Sequence, residues 1–151
     1  MLRRAVTGDV PALVALLADD PLGAGRETTD GDLAPYRRAF GLVDADPAHV
    51  LLVAVEGDDV VGTLQLTVVP GLARGGALRG QIEAVRVAGV ARGRGLGAAM
   101  VGWAVAESRR RGCVLVQLTT DKSRTDARRF YERLGFVASH EGMKLAPPAH
   151  S

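Results

Sequence analysis

Three glycines alternate where a strand gives way to a helix. Arg92-Gly93-Arg94-Gly95-Leu96-Gly97-Ala98 lies between an extended segment, Gln81 to Val87, and a long helical stretch, Gly95 to Arg111. Glycine has no Cβ, so backbone here can approach a ligand closely. A helix N-terminus presents N–H groups without intrahelical partners and the positive end of the helix dipole. Together they form an anion site suited to a pyrophosphate. A Walker loop is excluded, because no Gly-Lys-Ser/Thr follows. A dinucleotide fingerprint is formally met by Gly93-x-Gly95-x-x-Ala98, with Asp121 ending the next strand where a ribose-binding acid would stand. Three features oppose it. Ala88 to Arg92 separates the strand from the glycines, the strand carries Glu83 and Arg86, and little chain remains for a second nucleotide-binding half.

The surrounding pattern is α/β. Arg3 to Val6 reads as a first strand. Thr7 and Asp9 then precede Val10, Leu13, Val14 and Leu17 at helical spacing. A second helix starts at Asp30 or Asp32, carries Leu33, Tyr36, Phe40 and Val43, and ends before Pro47. Val50 to Val55, the turn Glu56-Gly57-Asp58-Asp59 and Val60 to Val69 form a hairpin. Pro70 to Gly80 is a loop rich in glycine and arginine. In the long helix the expected stripe is Leu96, Ala99, Met100 and Trp103, widened by Val101, Ala104 and Val105. Arg109, Arg110 and Arg111 suit its negative end, and Gly112 stops it. Val114 to Leu118 is a buried strand. Ser123 or Thr125 caps a short helix with Ala127, Phe130, Tyr131 and Leu134 on one face, closed by Gly135. Phe136 to Ala138 begins a last extended segment that reaches toward Met143 to Leu145. A hairpin followed by a β-α-β unit implies a mixed sheet with helices on both faces.

Length and composition set bounds. The 151 residues, 47% hydrophobic and 24% charged, suit one globular domain with its own core. Residues 1–147 are read as that domain and 148–151 as a frayed tail. No signal peptide and no membrane-spanning run is legible, so the expected location is cytoplasmic. The single cysteine, Cys113, allows no internal disulfide or cysteine metal cluster and is expected as a buried core thiol. No metal is expected. A net charge of +2 is too small to suggest nucleic acid.

Arg92-x-x-Gly95-x-Gly97 resembles the acyl-CoA loop of the GNAT superfamily of N-acyltransferases, whose signature is Gln or Arg, two residues, Gly, one residue, then Gly or Ala. Ala127-x-x-x-Tyr131-x-x-x-Gly135-Phe136 resembles that superfamily's second motif, and the element order matches over nearly the whole chain. The resemblance implies a single-domain GNAT-like fold, with a mixed, mostly antiparallel sheet of about six to seven strands. It implies transfer of an acetyl group from acetyl-CoA, as co-substrate, to an amine.

Carried over residue by residue, the resemblance gives Arg92, Gly93, Arg94, Gly95, Leu96, Gly97 and Ala98 as the pyrophosphate loop. Val85 and Val87 would pair with pantetheine, where the strand before the loop parts from its neighbour. An N–H near Val85 would polarise the thioester carbonyl. Tyr131 matches the tyrosine that protonates the leaving thiolate, and it also suits a core position. Glu83 lies where several relatives carry a general base, while an ion pair with Arg86 or another arginine is the plainer role. Asp121, Asp126 and His140 are weaker candidates. Arg124 stands where many relatives have an asparagine, which puts that contact in doubt. On the acceptor side, Asp20 and Glu27 would attract a cationic amine and Arg26 a carboxylate, with Pro70 to Gly80 as another wall. Small amines, amino-acid-like molecules, aminoglycosides and protein N-termini all stay open as acceptors, and so does a homodimer. A non-catalytic acyl-CoA sensor or accessory subunit is the alternative class, ahead of a dinucleotide-dependent oxidoreductase.

Overall fold

A computed structural model of the chain describes residues 1–20, 22–28 and 31–149. The expected helix start at Asp30, Pro21 of the acceptor-side loop and the last two residues of the tail lie outside the described residues. The chain forms two compact units, residues 1–118 and 119–151, each described here by itself.

The first unit is built on a five-stranded sheet in the order β1-β2-β3-β4-β5. The strands are β1 (Leu2–Arg4), β2 (His49–Glu56), β3 (Asp59–Val69), β4 (Leu78–Val87) and β5 (Cys113–Leu118). β1 to β4 pair antiparallel, and β5 joins β4 in parallel. The mixed, mostly antiparallel α/β design is therefore present, with five strands among the described residues rather than six to seven. The missing strand is the one expected after Phe136, where 136–149 forms none. Two short apolar runs there are separated by Ser139-His140-Glu141-Gly142 and followed by Pro147 and Pro148, which have no N–H for a ladder.

Helices cover both faces. α1 (Val10–Ala18) and α2 (Ala34–Ala45) pack on one face, where Leu13 and Ala5 meet Val53 and Val55, with Phe40, Leu51 and Val60 alongside. α1 enters through a 3-10 turn, Thr7–Asp9, so its cap is Asp9 rather than Thr7. Asp9 also accepts the Val6 N–H at 2.8 Å and pairs with Arg3 at 2.7 Å. At the start of α2, Asp32 Oδ1 accepts the Ala34 N–H at 2.9 Å.

α4 (Leu96–Arg110) lies on the opposite face, across β3, β4 and β5. Its buried stripe is Met100, Val101, Ala104 and Ser108. Ala99 is exposed and Trp103 only half-buried, so the stripe is rotated from the expected one. Small residues make the seam: a Cβ on Gly80 of β4 would collide with Ser108 Oγ. Ser108 is fully buried and donates to the Ala104 carbonyl at 2.7 Å. The arginine run is held within the helix end, where Arg110 and Arg111 both pair with Glu107. These bonds, Arg110 first, keep the Glu107 carboxyl below the usual carboxylate range. Cys113 is half-buried at the start of β5 rather than in the core, and burial pushes its thiol up.

Between β3 and β4 the glycine-arginine loop contains a short helical turn, α3 (Ala73–Gly76), with Arg74 at φ 58°. The second unit carries α5 (Thr125–Arg133), followed by a turn at Gly135. Among the described residues no helix is long and apolar enough to cross a membrane.

Candidate active site

Against β3, β4 keeps one register from Arg79 to Glu83 and shifts beyond it. Glu83 stands opposite Gln65 and Arg86 opposite Thr63, so Leu64 faces two residues of β4, Ala84 and Val85. That extra residue is a β-bulge, and Ala84 takes up a left-handed φ of 53° within it. Alternation normally sends residues three apart to opposite faces of a strand. The bulge cancels that reversal. Glu83 and Arg86 both follow the Thr63 and Gln65 face, away from α4 and toward α1.

The parallel ladder with β5 ends just before the bulge, at Ile82 opposite Leu118. Past that point β4 runs on to Val87 without β5 beside it. This is the parting of strands expected at Val85 and Val87. Their carbonyls accept from side chains, Val85 from Arg86 Nη1 at 2.9 Å and Val87 from Arg92 Nε at 3.3 Å. Each carbonyl oxygen retains a second lone pair for a further donor.

From Val87 the chain passes through a 3-10 turn, Gly89–Ala91, to Arg92 and the glycines. Gly93 and Gly95 have φ of 79° and 77°, which a residue with a Cβ adopts only with strain. A Cβ on either would stand in open space. Gly95 is the N-cap of α4, with no side-chain cap and no acidic residue in the first turn. The first helical bond is Ala99 N–H to Gly95 O at 3.0 Å. The amides of Leu96, Gly97 and Ala98 precede it and have no acceptor inside the helix. Arg94 does not point free: it pairs with Glu56 at the end of β2, at 3.0 Å. The backbone amides are therefore the loop's main anion donors, and the residues fit a pyrophosphate.

Glu83 is exposed. Its expected partner Arg86 is engaged elsewhere, with Asp20 at 2.8 Å, and no ion pair of Glu83 is found among the described residues. Asp20 is in turn buried in that pair and is not presented to solvent as an amine-binding carboxylate. No local pattern marks this pair, because its members are 66 positions apart and the bulge that aligns them carries no residue signature. Arg26 is exposed, and its Nε donates to the Leu22 carbonyl at 3.1 Å.

In the second unit, Tyr131 is half-buried on α5 between two rings. Phe130 lies edge-on at 5.1 Å between centroids and Phe136 at 5.8 Å. Arg124 is the N-cap of α5; its N–H donates to Asp121 O and its carbonyl accepts from Arg128 N–H. Asp121 accepts from the hydroxyl and amide of Ser123, which hold its carboxyl below the usual range.

The comparisons with known proteins agree with this geometry. The profile of the acetyltransferase (GNAT) family matches residues 11–136, and the chain belongs to that family. It is therefore an acetyltransferase of a family that uses acetyl-CoA. Aminoalkylphosphonate N-acetyltransferase of Salmonella typhimurium is 30% identical over 92% of this chain and 86% of its own length. Glucosamine 6-phosphate N-acetyltransferase of Trypanosoma brucei brucei is 38% identical over 88% and 84%. A solved structure from Bacillus halodurans C-125, described as a transcriptional regulator, superposes with a TM-score of 0.93. It is 47% identical, over 97% of this chain and 98% of that one.

Proposed function

We propose that this enzyme transfers the acetyl group of acetyl-CoA directly to the amine of a small acceptor that carries a phosphate or phosphonate. The observation that carries the transfer is the course of β4. It leaves β5 at Ile82, brings Arg86 through the bulge onto the face of Glu83, and delivers the chain to an uncapped helix N-terminus. The acceptor class rests on the two N-acetyltransferases above, whose substrates both combine an amine with a phosphorus oxyanion.

Acetyl-CoA supplies an activated acyl group on a thiolate leaving group. The chain's own residues do the rest. Gly93 to Ala98 hold the pyrophosphate by backbone amides, with Arg92 adding positive charge at the turn. Val85 and Val87 align the pantetheine arm along the open edge of β4. An N–H near Val85 steadies negative charge on the carbonyl oxygen. An amine is protonated at neutral pH and must lose a proton before it attacks. Glu83, exposed and with no ion-pair partner among the described residues, takes that proton directly or through water. Tyr131, placed by its motif, returns one to the departing thiolate. Arg26, exposed on the acceptor-side loop, is the cation offered to the acceptor's anionic group.

The test is a kcat/KM comparison across a panel of amines with acetyl-CoA held saturating. 2-Aminoethylphosphonate and glucosamine 6-phosphate should exceed ethanolamine and glucosamine, which lack the oxyanion, by about tenfold or more. Equal values for each pair remove the phosphorus group from the specificity. The Bacillus structure's description favours a second reading, in which acetyl-CoA is bound as a signal. That reading gains if acetyl-CoA binds and no amine in the panel is acetylated.

A further inference from the structure

Asp20 and Arg86 form a buried contact that neither cofactor binding nor proton transfer uses. Asp20 lies just beyond α1, and Arg86 just beyond the bulge of β4. Arg86 Nε stands 2.8 Å from Asp20 Oδ2, and the side chains are only 17% and 9% exposed. Removing one partner of such a pair leaves the other charge poorly compensated. Each partner also reaches further. Asp20 Oδ1 accepts the N–H groups of Leu22 and Gly23, at 2.9 and 2.8 Å. Arg86 Nη1 donates to the Val85 carbonyl inside the bulge at 2.9 Å. One line of contacts thus ties the loop Leu22–Arg26 to the bulge that brings Arg86 onto the face of Glu83.

We propose that Asp20 and Arg86 are a positioning pair: they fix the loop Leu22–Arg26 beside the β4 bulge and so set the distance between acceptor and Glu83. This rests on the reading of that face as the acceptor side. Neither residue touches the acceptor. Both act through the loop and the strand, and small displacements of reacting groups are costly.

Asp20→Asn isolates the pair. The asparagine carbonyl still serves the Leu22 and Gly23 amides, while its amino group sets a donor against Arg86. With 2-aminoethylphosphonate as acceptor, KM should rise about tenfold or more, with a smaller fall in kcat. The calorimetric Kd for acetyl-CoA should stay within about twofold, since the glycine loop is untouched. Arg86→Gln should behave alike, and Arg86→Lys, which keeps the charge, should recover most of the acceptor KM. Hydrogen exchange at Leu22 to Gly25 should quicken in Asp20→Asn and Arg86→Gln but little in Arg86→Lys. Unchanged KM and unchanged exchange in a folded Asp20→Asn overturn the proposal. So does an acetyl-CoA Kd that weakens as much as KM rises, which marks a general structural role. If Asp20→Asn does not fold, Arg86→Gln decides by the same readouts: a raised acceptor KM with quickened exchange at Leu22 to Gly25 supports the pair, and wild-type KM with wild-type exchange overturns it. The exchange arm needs no acceptor, so it tests the pair even if the wild type acetylates nothing.

Discussion

Glu83 is where residue identity and backbone irregularity meet. The sequence marks it as a carboxylate on the strand before the glycine loop. Alternation sets it on the face opposite buried Ile82, but Arg86 on that same face is not legible, because a bulge at Ala84 depends on how β3 and β4 pair, and alanine gives no sign of a left-handed φ. Asp20 shows the reverse case: a loop carboxylate that reads as an amine attractor is consumed by Arg86. If Glu83 is the base, Glu83→Gln should lower kcat by about 10²-fold or more at neutral pH. Acetyl-CoA affinity should be unchanged, and the loss should shrink at high pH as free amine becomes abundant. A pH-independent loss in the rate profile assigns Glu83 a structural role instead. Tyr131→Phe deletes only the hydroxyl and keeps the ring between Phe130 and Phe136. A thiolate is already a fair leaving group, so kcat should fall toward the lower end of acid catalysis, about 10²-fold. Steady-state kinetics beside a binding titration checks this; a kcat within about twofold, when chemistry limits the rate, makes Tyr131 a packing residue.

Most elements were legible because their local signals agree with their packing. The hairpin, β4, β5 and the two long helices all form near their expected bounds. α4 shows where pattern reading fails. Met100, Val101 and Ala104 fill the seam as their hydrophobicity predicts, but Trp103 and Ala99 do not, because beside Gly80 and Gly62 the seam admits only small or flexible groups, and Ser108 completes it. A buried serine bonded to its own helix has no hydrophobic signature. The start of α4 was the clearest signal of all, since alternating glycines before a helix have few other uses. Acetyl-CoA should raise the melting temperature, as a ligand of the native state must, and NADH should not. Gly95→Asp should abolish that shift, because it strains a φ of 77° and sets a negative charge against the pyrophosphate. An intact shift in a folded Gly95→Asp places the cofactor elsewhere.

Across the whole molecule, two motifs carried the family and nothing comparable carried the acceptor. The glycine loop and the Ala127-to-Phe136 pattern both lie in the C-terminal half of a match that runs from residue 11 to 136. Acceptor recognition depends on loops such as Leu22–Arg26, whose side chains are committed by distant partners that no local pattern reveals. The proposed acceptor class, small amines with a phosphorus oxyanion, is taken from the substrates of two relatives, and transfer itself is open to one direct measurement. Acetyl-CoA labelled in the acetyl group is incubated with the protein and 2-aminoethylphosphonate or glucosamine 6-phosphate, and the products are resolved by mass spectrometry. Direct transfer yields labelled acetyl on the acceptor nitrogen, with one free CoA thiol for each acetyl moved. Bound acetyl-CoA whose thioester stays intact with every amine contradicts a catalytic role for Glu83 and Tyr131.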